Sequence, residues 1–329
     1  MVFKYATLVI SAVCYLTARP AAAQLTIEQD EQTIRVSDGD SEILCYNIKP
    51  PPLPDGVDPS YHRSGFLHPV RTPSGFAVTA AYPADHRHQD GIFTAWVRTE
   101  WNGREIDFWN LAGGTGRVEH RSVLKTHATE ELAEFEVLLT HKATEPPVTD
   151  VLQERWQVAV HRTDGSYRCF DLTSEQTALT KHPLIVQKYH YGGFAVRGPT
   201  DWVLPRSADE SGRTPVSRMT NDQGSNRTDG NHQPTRWVSM SGRTAKGDAT
   251  ITVLSHPDNF RAPQPARLHP TKPYFCYAAC VDGEFVIDAD HPLVSRYRYL
   301  VTNGPPESEW IERQFQKWVQ GSAANERND

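Results

Sequence analysis

The strongest constraint on this chain is a near-unbroken succession of strand signals with no helix pattern between them. Residues 31–36 (EQTIRV) and 41–48 (SEILCYNI) read as a hairpin around Asp38-Gly39-Asp40. Residues 91–101 (GIFTAWVRTEW) are rich in aromatic and β-branched side chains. Residues 133–140 and 154–162 alternate, with Trp156, Val158 and Val160 on one face. Segments 167–173, 185–189, 249–254, 274–281 and 297–301 continue the pattern. Such strands must bury one face, and no interleaved helices are there to cover it. The sheets must therefore cover each other, which predicts an all-β chain built as a large antiparallel β-sandwich. One helix is expected, over 308–320, after the strand-stopping Pro305-Pro306. Ser308 caps it, Glu309 suits its positive end, and Trp310, Ile311, Phe315, Trp318 and Val319 form one stripe. The stripe fits packing across the sandwich; docking to a partner is the alternative. Residues 207–233 are polar and nearly free of apolar side chains, so they read as a long surface loop.

The N-terminus has its own logic. Lys4 precedes an apolar run over 5–17, and Ala21-Ala22-Ala23 supplies an A-x-A site. A bilayer span needs about 20 apolar residues, so this run is too short. A cleavable secretory signal over 1–23 is expected, with one sandwich domain over 24–329. No later run reaches membrane length, so no anchor remains after cleavage and a secreted or periplasmic location is expected. The net charge is −6, and it becomes −8 when Lys4 and Arg19 leave with the signal. An acidic chain without a basic stripe argues against nucleic acid and anionic membranes as partners. Cys14 leaves too, and Cys45, Cys169, Cys276 and Cys280 remain. If PYFCYAAC is a buried strand, Cys276 and Cys280 stand ~13 Å apart, too far to bridge. Buried thiols or one disulfide are expected.

The 14 histidines cluster. One group is Tyr61-His62-Arg63 running on to His68; another is Asp85-His86-Arg87-His88-Gln89-Asp90-Gly91. In an extended segment His86 and His88 share one side, since side chains alternate. Imidazoles titrate near neutrality, and Asp85 or Asp90 can orient one by accepting its second N–H. The candidate catalytic set is therefore His62, Arg63, Asp85, His86, His88 and Asp90. A solvated polar turn is the plainer reading. No cofactor is expected; a divalent ion held by His62, His86 and His88 is the alternative. Lys188, His190, Tyr191 and Arg197, around Gly192-Gly193, form a third group, and His256, Asn259 and Arg261 a fourth, on a proline-stiffened loop. Both are candidate substrate-binding groups. His182, His269 and His291, each before a proline, read as ordinary turn residues. No phosphate loop, dinucleotide glycine pattern, G-x-S-x-G elbow or H-E-x-x-H occurs, which argues against nucleotide-driven and α/β-hydrolase chemistry.

Several of these segments carry a resemblance: YHRSGFLHPVRTPSG, YPADHRHQDGIFTAW, DFWN (107–110), RWVSMSG (236–242), SHPDNFRAP and YRYLVTNG (297–304). In order and spacing they resemble DUF6807, a bacterial family of unknown function often labelled "methane oxygenase PmoA". The resemblance covers about residues 61–304. It implies a galactose-mutarotase-like supersandwich, export, and a carbohydrate ligand. The label itself fits poorly, since true methane monooxygenase subunits span membranes. The family pattern D-H-x-H-H-R-G departs here at Gln89 and Asp90, which puts the chemistry of those two positions in doubt.

Three functions follow as expectations. The first is an exported enzyme acting on a sugar or glycoside as isomerase, lyase or hydrolase. In it His86 or His88 moves protons while Arg63, Lys188 and Arg197 hold charge. The second is a non-catalytic carbohydrate-binding module. The third is a His-ligated divalent-metal enzyme.

Overall fold

The structure, a computed structural model, describes residues 24–204 and 216–325. The expected signal over 1–23 lies outside them. The first strands are β1 (Leu25–Gln29), β2 (Thr33–Asp38), β3 (Ser41–Asn47), β4 (Phe66–Val70), β5 (Ile92–Ala95), β6 (Thr99–Trp101) and β7 (Arg104–Ile106). Four long strands follow: β8 (Gly116–Ala128), β9 (Leu132–Ala143), β10 (Thr149–His161) and β11 (Tyr167–Ala178). Next come β12 (Leu184–Val186), β13 (Gly193–Arg197), β14 (Ser217–Asn221), β15 (Trp237–Thr244) and β16 (Gly247–Ser255). The chain ends with β17 (Ala266–Leu268), β18 (Tyr274–Tyr277), β19 (Phe285–Ile287), β20 (Leu293–Thr302) and α1 (Ser308–Asn325).

The first sheet has the order β1-β2-β3-β4-β5-β13-β18-β17, the second β14-β15-β16-β20-β11-β10-β9-β8, and a small third β19-β12-β6-β7. Neighbouring strands pair antiparallel throughout, as in the hairpin β2–β3, where Asp38 faces Ser41 across Gly39. The two large sheets face each other as a sandwich. Tyr46 of the first meets Phe135 and Trp156 of the second, and Phe194 meets Trp156 and Tyr297. Inside this layer Glu154 is fully buried and accepts from Trp156 Nε1 at 2.7 Å and Ser174 Oγ at 2.6 Å, with His141 Nε2 at 2.7 Å. Three partners offset the cost of burying that carboxyl.

Register identifies the two faces of the first sheet. Thr94, Phe194, Tyr277 and Ala266 lie in one cross-strand row, and Phe194 points it at the second sheet. The adjacent row is Phe93, Ala195, Cys276 and Arg267. Because side chains alternate, that row lies on the outer face. The outer face of the second sheet carries a smaller apolar cluster of Cys169, Trp237, Leu254 and Leu300, closed over by Ile311, Phe315 and Trp318 of α1.

Four expectations change. Segment 91–101 is two strands in two sheets, because the chain leaves the first sheet at Trp96, whose Nε1 donates to Gln176 Oε1 at 2.8 Å. Segment 274–281 ends as a strand at Tyr277, and a short 3-10 turn (Ala279–Asp282) carries Cys280. The four cysteines among the described residues are buried and free. The polar stretch 207–233 is not one loop. Residues 207–215 of it lie outside the described residues, but Ser217–Asn221 is an edge strand of the second sheet. Met219 alone gives that strand an apolar core contact, while Ser217 Oγ bonds Trp202 O at 2.5 Å and Asn221 Oδ1 accepts from Gln223 N and Ser225 N. Its polar side chains are satisfied locally, so no hydrophobic alternation marks it. Finally, α1 runs to Asn325 rather than 320. Among the described residues no helix is long and apolar enough to cross a membrane.

Candidate active site

The segment between β4 and β5 carries the richest chemistry, and it is not extended. His86 N donates to Pro83 O and Gln89 N to His86 O, both at 3.0 Å, so two turns run back to back. The period-two argument for His86 and His88 therefore fails. Turn geometry brings them together instead, with ring centroids 5.6 Å apart. Gly91 ends the segment at φ 57°, where any Cβ would run into Leu67 O.

Two buried arginines support these turns. Arg197 of β13 is fully buried and forks onto Asp85, with Nη2 to Oδ1 at 2.6 Å and Nη1 to Oδ2 at 3.1 Å. Its Nη1 also donates to Gln89 Oε1 at 3.0 Å. Lys272 Nζ and His86 Nδ1 reach Asp85 Oδ2 at 3.1 and 3.2 Å. Burial opposes ionisation of Asp85, but the bonds from His86 and Arg197, the Arg197 charge and Lys272 outweigh it. They hold the carboxyl well below the usual range. Arg63 lies over the Phe93 ring at 4.6 Å, and its Nε is 3.5 Å from Asp90 Oδ2. Asp90 Oδ1 accepts from Tyr82 N at 2.7 Å. Burial raises Asp90 to about 7, and Arg63 offsets only part of that. Gln89 and Asp90, the positions that depart from the family pattern, thus each hold one of the two arginines.

Above them, on the outer face of the first sheet, lies a cavity of about 240 Å³. His86, His88 and Gln89 line one side, and Arg267, His269 and Tyr274 another. Trp109, Asn110, His190 and Tyr191 complete it. DFWN forms an Asx turn: Asp107 Oδ1 accepts from Trp109 N at 2.8 Å and Asn110 N at 2.9 Å. That turn presents Trp109 and Asn110, and the Asn110 amide lies 3.4 Å from the Tyr191 hydroxyl. Gly193, at φ 93°, lets the Tyr191 loop approach Tyr277 O where a side chain would clash. Burial lifts Tyr191 to about 12. His88 is depressed to about 3, first by burial and then by His86, Arg63 and Arg197. His269 is depressed to about 4 by burial, then Arg267 and His86.

Hydrogen bonds fix which nitrogen carries the proton. Asp85 only accepts, so His86 donates through Nδ1 and keeps Nε2 as the basic nitrogen. His269 is the reverse. Its Nδ1 accepts from Thr271 N at 3.2 Å and Lys272 N at 3.0 Å, leaving Nε2–H as a donor. Their rings lie 6.0 Å apart.

The other candidates from sequence are elsewhere. His62 caps a short 3-10 turn (Pro59–Tyr61) and does not line the cavity. Lys188 is exposed and also outside the lining. His256 packs on Trp318 of α1, and Asn259 bonds Ser255 Oγ and the Arg296 backbone. Arg261 donates to the carbonyls of Ala279, Gly283 and Glu284. That loop is scaffolding. Among the described residues no group of three or more His, Cys, Asp or Glu is placed to hold a metal ion, so His62, His86 and His88 do not form a ligand set. Sequence reasoning passed over His269, read as a turn residue, and Arg267. DFWN was visible only as part of a family resemblance.

The profile of a family of unknown function, DUF6807, matches residues 33–316. The chain belongs to that family. Among curated proteins, no match to this DUF6807 chain was found. Among solved structures, a protein named for kojibiose phosphorylase, from the human microbiome, is similar at 8% identity and a TM-score of 0.34, over 91% of this chain and 33% of its own. The heparan sulfate lyase HepC from Pedobacter heparinus is similar at 9% identity and a TM-score of 0.34, over 87% and 36%. This DUF6807 chain spans about a third of the length of either.

Proposed function

We propose that this protein is exported and acts on a sugar in the histidine cavity, with His86 as its proton-transfer group. The carrying observation is the pairing of a basic Nε2 on His86 with an Nε2–H donor on His269 across one cavity. Asp85, kept ionised by Arg197 and Lys272, orients His86 through its Nδ1. His269, depressed to about 4, stays neutral at pH 7 and polarises a bound oxygen as a hydrogen-bond donor. Among the described residues no cavity-lining side chain is a carboxylate, so the paired-carboxylate route of most glycosidases lacks its groups among them. Isomerase and lyase chemistry, which begin by moving a proton on the sugar, fit this set better. Asn110 and Tyr191 offer hydroxyl-binding groups.

A screen of oligosaccharides and oxidised glycosides on the purified protein tests the reading. His86→Ala should lower turnover by roughly 10²–10⁴-fold, and Asp85→Asn should lower it less while moving the pH profile. Full activity of His86→Ala on a substrate the wild type converts would remove His86 from the role.

A further inference from the structure

We propose that the cavity selects an anionic saccharide, and that Arg267 reads its carboxylate or sulfate group. This rests on the sugar reading above and adds the ligand's charge to it. Arg267 is the central residue of β17, half-buried between the buried Ala266 and Leu268. Alternation turns it to the outer face, where it lines the cavity. Its Nη1 donates to Asn231 Oδ1 at 2.8 Å and to Leu268 O at 3.2 Å. Asn231 Oδ1 also accepts from Leu268 N at 3.1 Å, which ties that side chain to the strand. The guanidinium is thus pinned through one nitrogen. Among the described residues Nε and Nη2 have no acceptor, and no carboxylate forms an ion pair with Arg267. Those two N–H groups form the edge that matches two oxygens of one anion.

The surrounding charges agree. Arg197 and Lys272 share the single carboxylate of Asp85, and Arg63 is offset by Asp90. With no ion pair at Arg267 and no acidic side chain on the wall among the described residues, these residues give the site excess positive charge within a chain of net charge −6. Burial and then Arg267 lower both His190 and His269, as a positive field should. A neutral sugar would leave the Arg267 fork without a counter-ion; an acidic one completes it.

Calorimetric titration tests this with three probes: an oligogalacturonate, its carboxyl-reduced neutral counterpart, and a sulfated neutral oligosaccharide. The acidic oligomer should bind about ten- to hundredfold tighter than the reduced one, and Arg267→Gln should abolish the preference. Arg267→Lys keeps the charge without the fork and should retain part of it, and it carries the comparison if the glutamine variant folds poorly. Preference for the sulfated probe with the same Arg267 dependence would identify sulfate as the group read. Preference for the carboxylate alone would identify the uronate. If the reduced oligomer binds as tightly as the acidic one, the anion proposal is overturned and the sugar reading stands. If no saccharide of any charge binds, both fall.

Discussion

Asp90 shows how a single residue couples the site to pH. It is fully buried, and its nearest cation, Arg63, is 3.5 Å away without a hydrogen bond. Burial raises its pKa to about 7, from about 3.9 in an unfolded chain. A carboxyl raised in this way binds its proton more tightly when folded. Its contribution to stability is therefore fully present below about pH 4 and is lost as pH rises through 7. The Asp90→Asn variant removes that dependence. Denaturant melts should show the difference between variant and wild type moving in the variant's favour between pH 5 and pH 8, and a flat difference would mean that Asp90 does not titrate there. Of the residues that line the cavity, the sequence marked His86 and His88 by their density with Asp85 and Asp90, but for the wrong reason, since turns and not strand alternation bring the two rings together. It did not reveal Arg267 or His269. Each stands alone among ordinary neighbours, and only strand register places them beside the first cluster.

At the level of elements, α1 is a cover. Its Phe315 and Trp318 close the small cluster on the second sheet, Arg236 lies 5.4 Å from the Phe315 ring centroid, and His256 packs on Trp318. Truncating Phe315 to Ala should cost on the order of 3–5 kcal/mol in chemical denaturation, while leaving ligand binding at the cavity intact. The helix was legible from its stripe, although Ser308, expected as its cap, is its first residue and Glu307 O accepts from Ile311 N at 3.1 Å in the cap position; the long strands were legible from their alternation. Two other kinds of element were not. β14 hides because its polar side chains bond locally and only Met219 signals the core. The division of 91–101 between sheets hides because propensity marks a strand without marking where the chain changes sheets.

For the molecule as a whole, the four cysteines of the described chain give a clean test. All are buried and free, and burial raises Cys45 and Cys276 to about 11 and Cys169 and Cys280 to about 12. A thiol reagent should label none of the four in the native protein and all of them in denaturant, and a reducing agent should leave the melting temperature unchanged. A native disulfide would appear as fewer than four thiols after denaturation. The division of labour between the two outer faces has a consequence for how such a chain can diverge. The cavity is roofed by connecting segments on one side, and the helix seals the other, so the layer between the sheets belongs to neither. Substitutions at half-buried or exposed lining positions such as Asn110 and His190 can therefore change what is recognised while leaving the packing between the sheets in place, whereas Phe108, Trp109 and Gln89 are buried and tie the cavity to the frame.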